Sequence, residues 1–592
     1  MIALDFETYY DINLTVKKMG PERYAQELIQ AGETPYCVAI YGKDIRYSGS
    51  IFNAPWDKIK NEPRVFAHNA RFDSAIAKSN IPVDLEWACT ADLAAFNQSP
   101  RALDKAALCL LKETVSKDPR KKMKGKHFNN LNPEEKKEII KYCQKDAELC
   151  YRLAEKYYDD WPLIERRISE VNRKMGRYGV CLDTKYIETS CRLLKQIMFD
   201  AEKKLPWRND PDLSTAILSS KEACKLCNQH NLPIPKRIND KGKEVVTWAQ
   251  SDPDVQLWEE QFSQKYPWVA AMRDYRKANI LLKKLIAMQS RVVGDNIMPT
   301  ELLYFGAHTG RFSGGGGVNM QNLPGRRENF VNLRRAIKAR PGHKLVVIDW
   351  SQIEPRLLRW VVKDTRALNL LKQGINMYEA YAIQHFEWKK IGMLKKIDPN
   401  LYAMAKAVVL GAGYGCGGVK YRAVAKAMAG LDLTEEEAFK QINLFRRDNP
   451  KIVALWNQLL FAARLRAQKQ QDFKIQLPSG RCLHYFNMNT QPSLRASVYR
   501  DGSRVSYLHG GLLTENYIQA IARDVFAEAL IRLYDNKINC LFHVHDEYIL
   551  EVPEGDRERQ KKQISQILLE SPSWLKDCPL DFEIKNWGDC YV

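Results

Sequence analysis

Four consecutive apolar residues, Leu345 to Ile348, end on a carboxylate, Asp349, within the run L-V-V-I-D-W-S-Q-I-E-P-R that spans Leu345 to Arg356. A short apolar run of this kind suits a buried strand. Ser351 with Glu354 three residues on has the pattern of a helix-start capping box. Pro355 favours a first helical position and moves the predicted helix start about one turn later. In either case Asp349 sits at a strand end, where a carboxylate can hold a metal and a substrate can reach it. Alone, the stretch also fits an ordinary strand-to-helix junction with a solvated Asp. The rest of the chain favours the first reading.

At 592 residues the chain has room for about four compact units. Its 45% apolar and 27% charged residues describe an ordinary globular protein with ample core. Lys plus Arg number 91 against 71 Asp plus Glu, a net +20 that favours a polyanionic partner, nucleic acid or an anionic membrane. No run approaches the roughly 20 apolar residues of a spanning helix, so a membrane is not expected. Met1 leads at once into a strand-like run rather than a signal peptide. The 14 cysteines are scattered, most of them in apolar periodic segments such as those of Cys143, Cys150 and Cys540. That usage suits reduced thiols and a cytoplasmic location. Cys224, Cys227 and His230 have a zinc-like spacing but no fourth ligand nearby and a helix-like setting, so zinc is not expected there.

Residues 1–160 form the first expected domain. Ile2 to Glu7 reads as a strand in which Asp5 and Glu7, two apart, share one face. Side by side they repel unless a cation lies between them. Ala67 to Asp73 opens a helix-like segment with Asn69 and Asp73 four apart on one face. Tyr142 and Asp146 are likewise four apart on a later helix. Oxygen-only ligands point to a hard cation, Mg²⁺ or Mn²⁺. Four carboxylates suit a two-metal site, and Tyr142 could orient a water there. This set, in this order, resembles the DnaQ-like 3′–5′ exonucleases. The resemblance gives Asp5, Glu7, Asp73 and Asp146 the metal role and Tyr142 the water-orienting role. Lys117 to Lys126 is a basic loop that could touch nucleic acid or simply be a solvated face.

Residues 161–300 read as mostly helical. Ile168, Val171, Met175 and Tyr178 fall at helical spacing before Gly179 breaks the pattern. Pro233 to Lys243 looks like a hairpin or loop excursion. Arg273 to Arg291 is a basic amphipathic helix. Ile280, Leu281, Leu285 and Met288 can face a core, while Arg276, Lys277, Lys283 and Lys284 offer sequence-blind phosphate contacts.

Beyond residue 300 a second chemistry emerges. Thr309-Gly310-Arg311-Phe312-Ser313 precedes four glycines and then Val318 to Pro324. Arg311 supplies a fork of donors, and Asn319, Gln321 and Asn322 supply amides able to hold bases and phosphates. Lys406, Leu410 and Tyr414 are spaced by four and make one helical stripe. A cation, an apolar platform and a ring along one stripe match a nucleoside triphosphate laid lengthwise. Cys540 to Val552 reads as two apolar strands around His545-Asp546-Glu547, a hairpin with acids at its turn. A metal shared with Asp349 accounts for acids where turn chemistry would favour Asn-Gly.

Taken together, D-W-S-Q-I-E, the K-x7-Y-G helix and H-D-E resemble motifs A, B and C of the family A DNA polymerases. T-G-R-F-S, V-N-M-Q-N-L-P and Leu477 to Arg481 (L-P-S-G-R) extend the match. The resemblance implies a multidomain α/β protein: an RNase H-like α/β exonuclease domain over 1–160, then a right-hand polymerase domain over 161–592. Within the latter, 161–300 would be a thumb-like helical region, 301–390 and 477–592 the palm, and 391–476 the fingers. Asp349 and Asp546 would hold two Mg²⁺ ions, with Mn²⁺ as a substitute, and Lys406 would contact the triphosphate. Tyr414 would stack near the templating position. Glu354 would be the steric gate against a ribose 2′-hydroxyl. Tyr378 would lie beside the phosphates and sugar. Arg311, Gln519, His545 and Glu547 would contact the primer terminus and minor groove or support the metals. Primer–template DNA and dNTPs are the implied partners, with a processivity factor or helicase-primase as a further one and a monomeric enzyme. With the first exonuclease acid at residue 5, no 5′ nuclease domain is expected, which resembles phage-encoded replicative enzymes.

Three positions depart from the family pattern. Tyr402 stands where motif B usually has an arginine, and Lys395, Lys396 or Arg422 could supply the missing cation. Leu410 stands where Phe or Tyr is usual. Trp350 and Pro355 replace the usual Tyr and Leu of motif A. A single-subunit RNA polymerase would share the three-motif hand but lack the N-terminal nuclease and the Glu354 gate. A nuclease or DNA-binding scaffold with a dead polymerase half would not need Asp349, Lys406, Tyr414 and Asp546 intact.

Overall fold

Ile2–Glu7 forms the middle strand of a five-stranded sheet, and five of its six residues are buried because both faces are covered. Cys37–Gly42 pairs antiparallel on one side of it, followed by Arg46–Gly49. Val65–Ala67 and then Trp87–Cys89 add in parallel on the other. The helix Pro133–Tyr157 lays Ile139, Tyr142, Cys143 and Ala147 into the same core as Leu4, Phe6, Val38 and Ile40. Its start is specified locally. Asn132 and Glu135 close a capping box, and Pro133 occupies a first-turn position where its missing N–H costs nothing.

The structure, a computed structural model, describes residues 1–208, 215–239, 242–249, 252–325 and 330–592. The chain divides into two compact units. One comprises Met1–Gly179, Pro299–Asn322 and Pro341–Gly588, the other Val180–Met298, Leu323–Arg340 and Asp589–Val592. Among the described residues no helix is long and apolar enough to cross a membrane.

In the first unit, four antiparallel strands run in the order Asn539–Val544, Glu547–Pro553, His343–Trp350, Phe582–Gly588. The apolar run Leu345–Ile348 is the buried part of the third of these, as its composition predicts. The 26-residue helix Gly510–Asp535 packs on this sheet: Phe526 stacks on Tyr548 with ring centroids 4.1 Å apart, and the Tyr548 hydroxyl donates to the Phe526 carbonyl at 2.7 Å. The helices Pro399–Ala412, Gly418–Ala429, Glu435–Asp448 and Pro450–Gln468 follow one another. Their junction with Gly510–Asp535 is very close. A Cβ added at Gly511 would meet the Tyr414 carbonyl oxygen at 1.9 Å, so only glycine fits.

The second unit holds the three-stranded sheet Ile337–Lys338, Val180–Leu182, Ile297–Met298, together with the paired helices Thr184–Glu202 and Pro267–Gln289. Its aromatic core gathers Trp207, Trp258 and Trp268 around Cys227. Leu281, Leu285 and Met288 are buried as expected, but Ile280 is exposed. Arg276 turns inward, donating to the Trp248 carbonyl at 2.5 Å. The excursion after Pro233 is a hairpin, Lys236–Ile238 against Glu244–Val246; Asp240 and Lys241 lie outside the described residues.

The helix Leu163–Tyr178 belongs to the first unit. Glu165 in its first turn is buried against Arg523, with Nη2 2.9 Å from Oε2. Several local expectations are corrected. The capping box of Ser351 and Glu354 does not form. Gln352 precedes the helix in the left-handed region (φ 55°), and the helix runs Ile353–Val361. Pro355 falls in its first turn, where no N–H can receive a cap. Ser351 N–H donates instead to the Asp581 carbonyl, and Gln352 Oε1 accepts from Met377 N–H at 2.8 Å. Asn69 is not helical either, since it turns the chain at φ 77° before Ala70–Asn80. The basic stretch 117–126 contains a short helix, Asp118–Lys122, rather than a loop. Its lysines are mostly paired, Lys117 with Asp104, Lys122 with Glu138 and Lys126 with Glu135, which removes most of the free charge that suggested a nucleic-acid contact.

Candidate metal centres and active sites

Asp5 and Glu7 project from one face of the central strand toward Asp146 on the Pro133–Tyr157 helix. Their carboxylates come together with ligand atoms all within 4.8 Å of one another. Asp73, on the helix Ala70–Asn80, accepts from the Phe6 N–H at 3.3 Å and so stands beside the same strand. Tyr142, one turn before Asp146, lies against that carboxylate. The four acids and the tyrosine named from sequence are therefore brought together.

Burial first, then the charges of Asp146, Glu7 and Asp73, hold Asp5 well above the usual carboxylate range. Glu7 is pushed up to about 7 by burial, against the pull of Arg120. Asp146 is pushed up to about 6, again chiefly by burial. Asp73 is raised too, by burial above all. Carboxylates that resist ionising together are short of positive charge. Asp5 Oδ2 is buried with no hydrogen-bond partner. A hard divalent cation fits this oxygen-only set. Sequence reasoning missed Arg120, whose Nε lies 3.8 Å from Glu7 Oε2 and whose carbonyl accepts from Tyr10. It was hidden among the lysines of K-D-P-R-K-K.

The second centre sits where His343–Trp350 ends. Asp349 is directly opposite Glu547 on one neighbouring strand and Glu583 on the other. His545 and Asp546 form the two-residue turn between the Asn539–Val544 and Glu547–Pro553 strands, with His545 at φ 55°. Trp350 N–H donates to the Asp546 carbonyl at 3.1 Å, which fixes the turn beside the end of the Asp349 strand. Burial pushes Asp349 up to about 6, and Asp546 adds to the rise. Lys585 opposes it, with Nζ 2.9 Å from Asp349 Oδ2 and 3.4 Å from Glu547 Oε2. Among the described residues only the first centre packs three ligand atoms within 4.8 Å; here the acids are spread around a lysine. Asp349, Asp546 and Glu547 still offer hard oxygen donors suited to a cation of the Mg²⁺ class.

Glu354, at the start of Ile353–Val361, is ion-paired with Arg311. Burial raises its carboxyl, and Arg311 opposes that rise. Arg311, His545 and Asp546 line one pocket with Gln321 and Phe312. Gln519, on the Gly510–Asp535 helix, is held by Thr309, whose hydroxyl donates to Oε1 at 2.8 Å. On Pro399–Ala412, Tyr402, Lys406 and Leu410 are half-buried while Ala405, Ala407, Val408 and Val409 are buried, so one face is left open. The expected three-residue stripe is shorter than a continuous helix: Ala412 is its last residue, and Tyr414 lies beyond it. Burial and the nearby Glu354 push the Tyr414 hydroxyl well up. Tyr378 is pushed up to about 12 by burial, then by Tyr402, Asp349 and Asp546. Its ring meets Tyr402 edge-on at 5.5 Å. Of the three cations considered for the Tyr402 position, Lys395 stands over that ring, at 5.9 Å.

Residues 218–589 match the profile of DNA polymerase family A. The chain is 27% identical to a DNA polymerase of Bacillus phage SP02, over 87% of each protein. It is 25% identical to DNA polymerase I of Chloroflexus aurantiacus over 87% of this chain and 53% of that protein. It is also 25% identical to a thermostable DNA polymerase I of Thermus thermophilus, over 71% of this chain and 47% of that protein. The matches to those two bacterial relatives thus span about half their length. The solved POL domain of Pol1 from M. smegmatis, in complex with DNA primer-template and dNTP, shares the fold, with a TM-score of 0.69 at 18% identity, covering 100% of this chain and 95% of that one.

Proposed function

This chain belongs to DNA polymerase family A, and from that premise we propose that it extends a primer 3′ end with dNTPs on a DNA template and proofreads through an N-terminal 3′–5′ exonuclease, in the replication of phage DNA. The observation that carries the proofreading half is the convergence of Asp5, Glu7 and Asp146, with Tyr142 against Asp146. The polymerase half rests on Asp349 and Asp546 at adjoining strand ends, with Lys406 and Leu410 on a half-open helix face. The similarity to the phage SP02 polymerase over most of both chains supports the replicative reading.

In this reading Asp349 and Asp546 hold the divalent ions of the polymerase site, and Asp5, Glu7, Asp73 and Asp146 those of the nuclease. Such ions, when bound, lower the pKa of the attacking hydroxyl or water and neutralise charge on the transferring phosphoryl group. The chain's own groups do the rest. Lys406 meets the triphosphate, and Tyr378 bounds the sugar. Glu354, anchored by Arg311, crowds the 2′ position. Gln519, Arg311 and His545 grip the primer end. Tyr142 orients the water at the nuclease centre. Residues 1–160 carry the nuclease, 161–300 the thumb, 391–476 the fingers, and the acid-bearing sheet lies in the palm.

Primer extension with Mg²⁺ and either dNTPs or rNTPs, on matched and mismatched termini, tests the reading. It expects dNTP-dependent extension and trimming of mismatched ends. Absence of both would overturn it.

A further inference from the structure

Three carboxylates stand in one row across the sheet: Glu547, Asp349 and Glu583 occupy facing positions on adjacent strands. Like charges directly opposite each other destabilise a sheet. Asp546 in the neighbouring turn adds a fourth acid. The cation that answers them comes from an irregularity in the last strand. Ile584 pairs with Ile348, and the next paired residue, Asn586, faces Val347, so Lys585 is the extra residue of a β-bulge. Bulges free a side chain from the ladder and are frequent next to active sites. Here the freed ammonium bridges Asp349 Oδ2 at 2.9 Å and Glu547 Oε2 at 3.4 Å.

We propose that Lys585 is a built-in counter-ion of the polymerase metal centre: it holds Asp349 and Glu547 together in the ion-free enzyme, opposes a divalent cation with its charge, and so sets how much of that cation the enzyme requires. The inference rests on the reading of Asp349 and Asp546 as metal-binding residues. The ammonium 2.9 Å from Asp349 Oδ2 takes one of that oxygen's lone-pair sites and sets a positive charge beside the place a divalent ion would occupy, so the two cations oppose each other there. Lys585 is 41% exposed at its side chain and hangs on a flexible four-carbon stem, so it can swing into solvent.

The test uses the full chain with Asp5→Ala and Glu7→Ala, which silence the nuclease centre, and a dideoxy-terminated primer–template. Mn²⁺ is titrated by electron paramagnetic resonance. Lys585→Met keeps the stem and removes the charge; it is expected to bind Mn²⁺ about tenfold more tightly, the effect of deleting one charge some 5 Å from a divalent ion under strong solvent screening. Lys585→Arg is expected to bind like the parent, and on a separate primer with a free 3′-hydroxyl the Mg²⁺ needed for half-maximal extension is expected to fall with Lys585→Met. Should Lys585 merely position Asp349, Lys585→Met would bind Mn²⁺ equally or more weakly, and the proposal is overturned. Lys585→Gln provides a second neutral variant if Lys585→Met misfolds. Adding Asp349→Ala to the parent separates the two ideas. If it removes no bound ion, the metal-site reading itself fails and this inference with it.

Discussion

Arg523 is the most buried cation of the first unit that the sequence left unremarked, and removing it is expected to cost more than removing any surface charge. It lies on the Gly510–Asp535 helix at 3% exposure. Its Nη2 is 2.9 Å from Glu165 Oε2, and its Nη1 is 3.2 Å from Asp524 Oδ1. Arg481 completes the set, with Nε 3.0 Å from Asp524 Oδ1 and Nη2 2.9 Å from the Thr309 carbonyl. Two buried guanidinium groups therefore balance two buried carboxylates. Arg523→Met preserves much of the volume and leaves one buried negative charge uncompensated. Breaking such a pair costs about 3–5 kcal/mol, whereas replacing both partners by apolar groups is often neutral. The first unit is larger than the 150–250-residue domains in which 1 kcal/mol moves the melting temperature by about 2–4 °C, so the drop expected here is roughly 5 °C.

The assay is thermal and urea unfolding followed by tryptophan fluorescence, run as a double-mutant cycle with Glu165→Leu. Each single variant is expected to melt early, and the double variant to recover most of the loss. The pH dependence has a fixed sign. Burial raises Glu165, but Arg523 and its other partners outweigh that and hold its carboxyl below the usual range. The stability this contributes is present above the unfolded pKa, about 4.3. It is lost as pH falls through the depressed folded value. The gap between wild type and Arg523→Met should therefore be full at pH 7 and close in acid. A loss under about 1 kcal/mol in the single variant, or a double variant that loses the sum of the two singles, would refute the argument.

Asp349→Ala or Asp546→Ala should abolish primer extension by more than a hundredfold while sparing single-strand degradation; surviving extension in a gel assay would remove these residues from the polymerase centre. Asp5→Ala or Asp146→Ala should do the reverse, and persistence of 3′–5′ degradation would sink the nuclease reading. Glu354→Ala should raise ribonucleotide incorporation at least tenfold, read as alkali-labile product, because the side chain fixed by Arg311 is gone; no rise would put the gate elsewhere. Gly511→Ala places a methyl group 1.9 Å from the Tyr414 carbonyl, so it should displace the end of the Pro399–Ala412 helix and raise the KM for dNTP without touching nuclease activity; an unchanged KM would show that this crossing does not set the nucleotide site.

What could be read in advance follows from how local each signal is. The apolar run before Asp349, the alternation that pairs Asp5 with Glu7, and the turn at His545-Asp546 are properties of a few neighbouring residues, and each stands where its pattern implies. The capping box at Ser351 was equally local but competed with Pro355, and the strand-to-helix corner was settled by the distant Asp581 and Met377. The basic run at Lys117 suggested a polyanion because its partners, Asp104, Glu135 and Glu138, come from other segments. Lys585 was out of reach altogether. A bulge is a mismatch of register between strands more than two hundred residues apart, and no periodicity within Phe582–Gly588 marks it.

Both acid clusters meet the same physical difficulty, and the chain answers it in the same way. Carboxylates clustered tightly enough to hold a divalent ion repel one another while the ion is absent, and burial makes that repulsion more costly. At the cluster of Asp5, Glu7 and Asp146 a guanidinium from the Asp118–Lys122 helix approaches Glu7, at 3.8 Å; beside Asp546 an ammonium from the edge strand closes on Asp349, at 2.9 Å. The difference in distance has a consequence. Arg120 stays outside hydrogen-bond distance of Glu7 and can remain beside a bound ion as a charge for the phosphate, while Lys585 is hydrogen-bonded to an oxygen proposed to ligate the ion. Neutralising Arg120 should therefore weaken substrate retention at the nuclease and leave its metal requirement nearly unchanged. With Arg120→Met, titration of single-strand degradation against Mg²⁺ and against DNA separates the two effects. A shift in the Mg²⁺ midpoint with no change in KM for DNA would show that the two cations act alike after all.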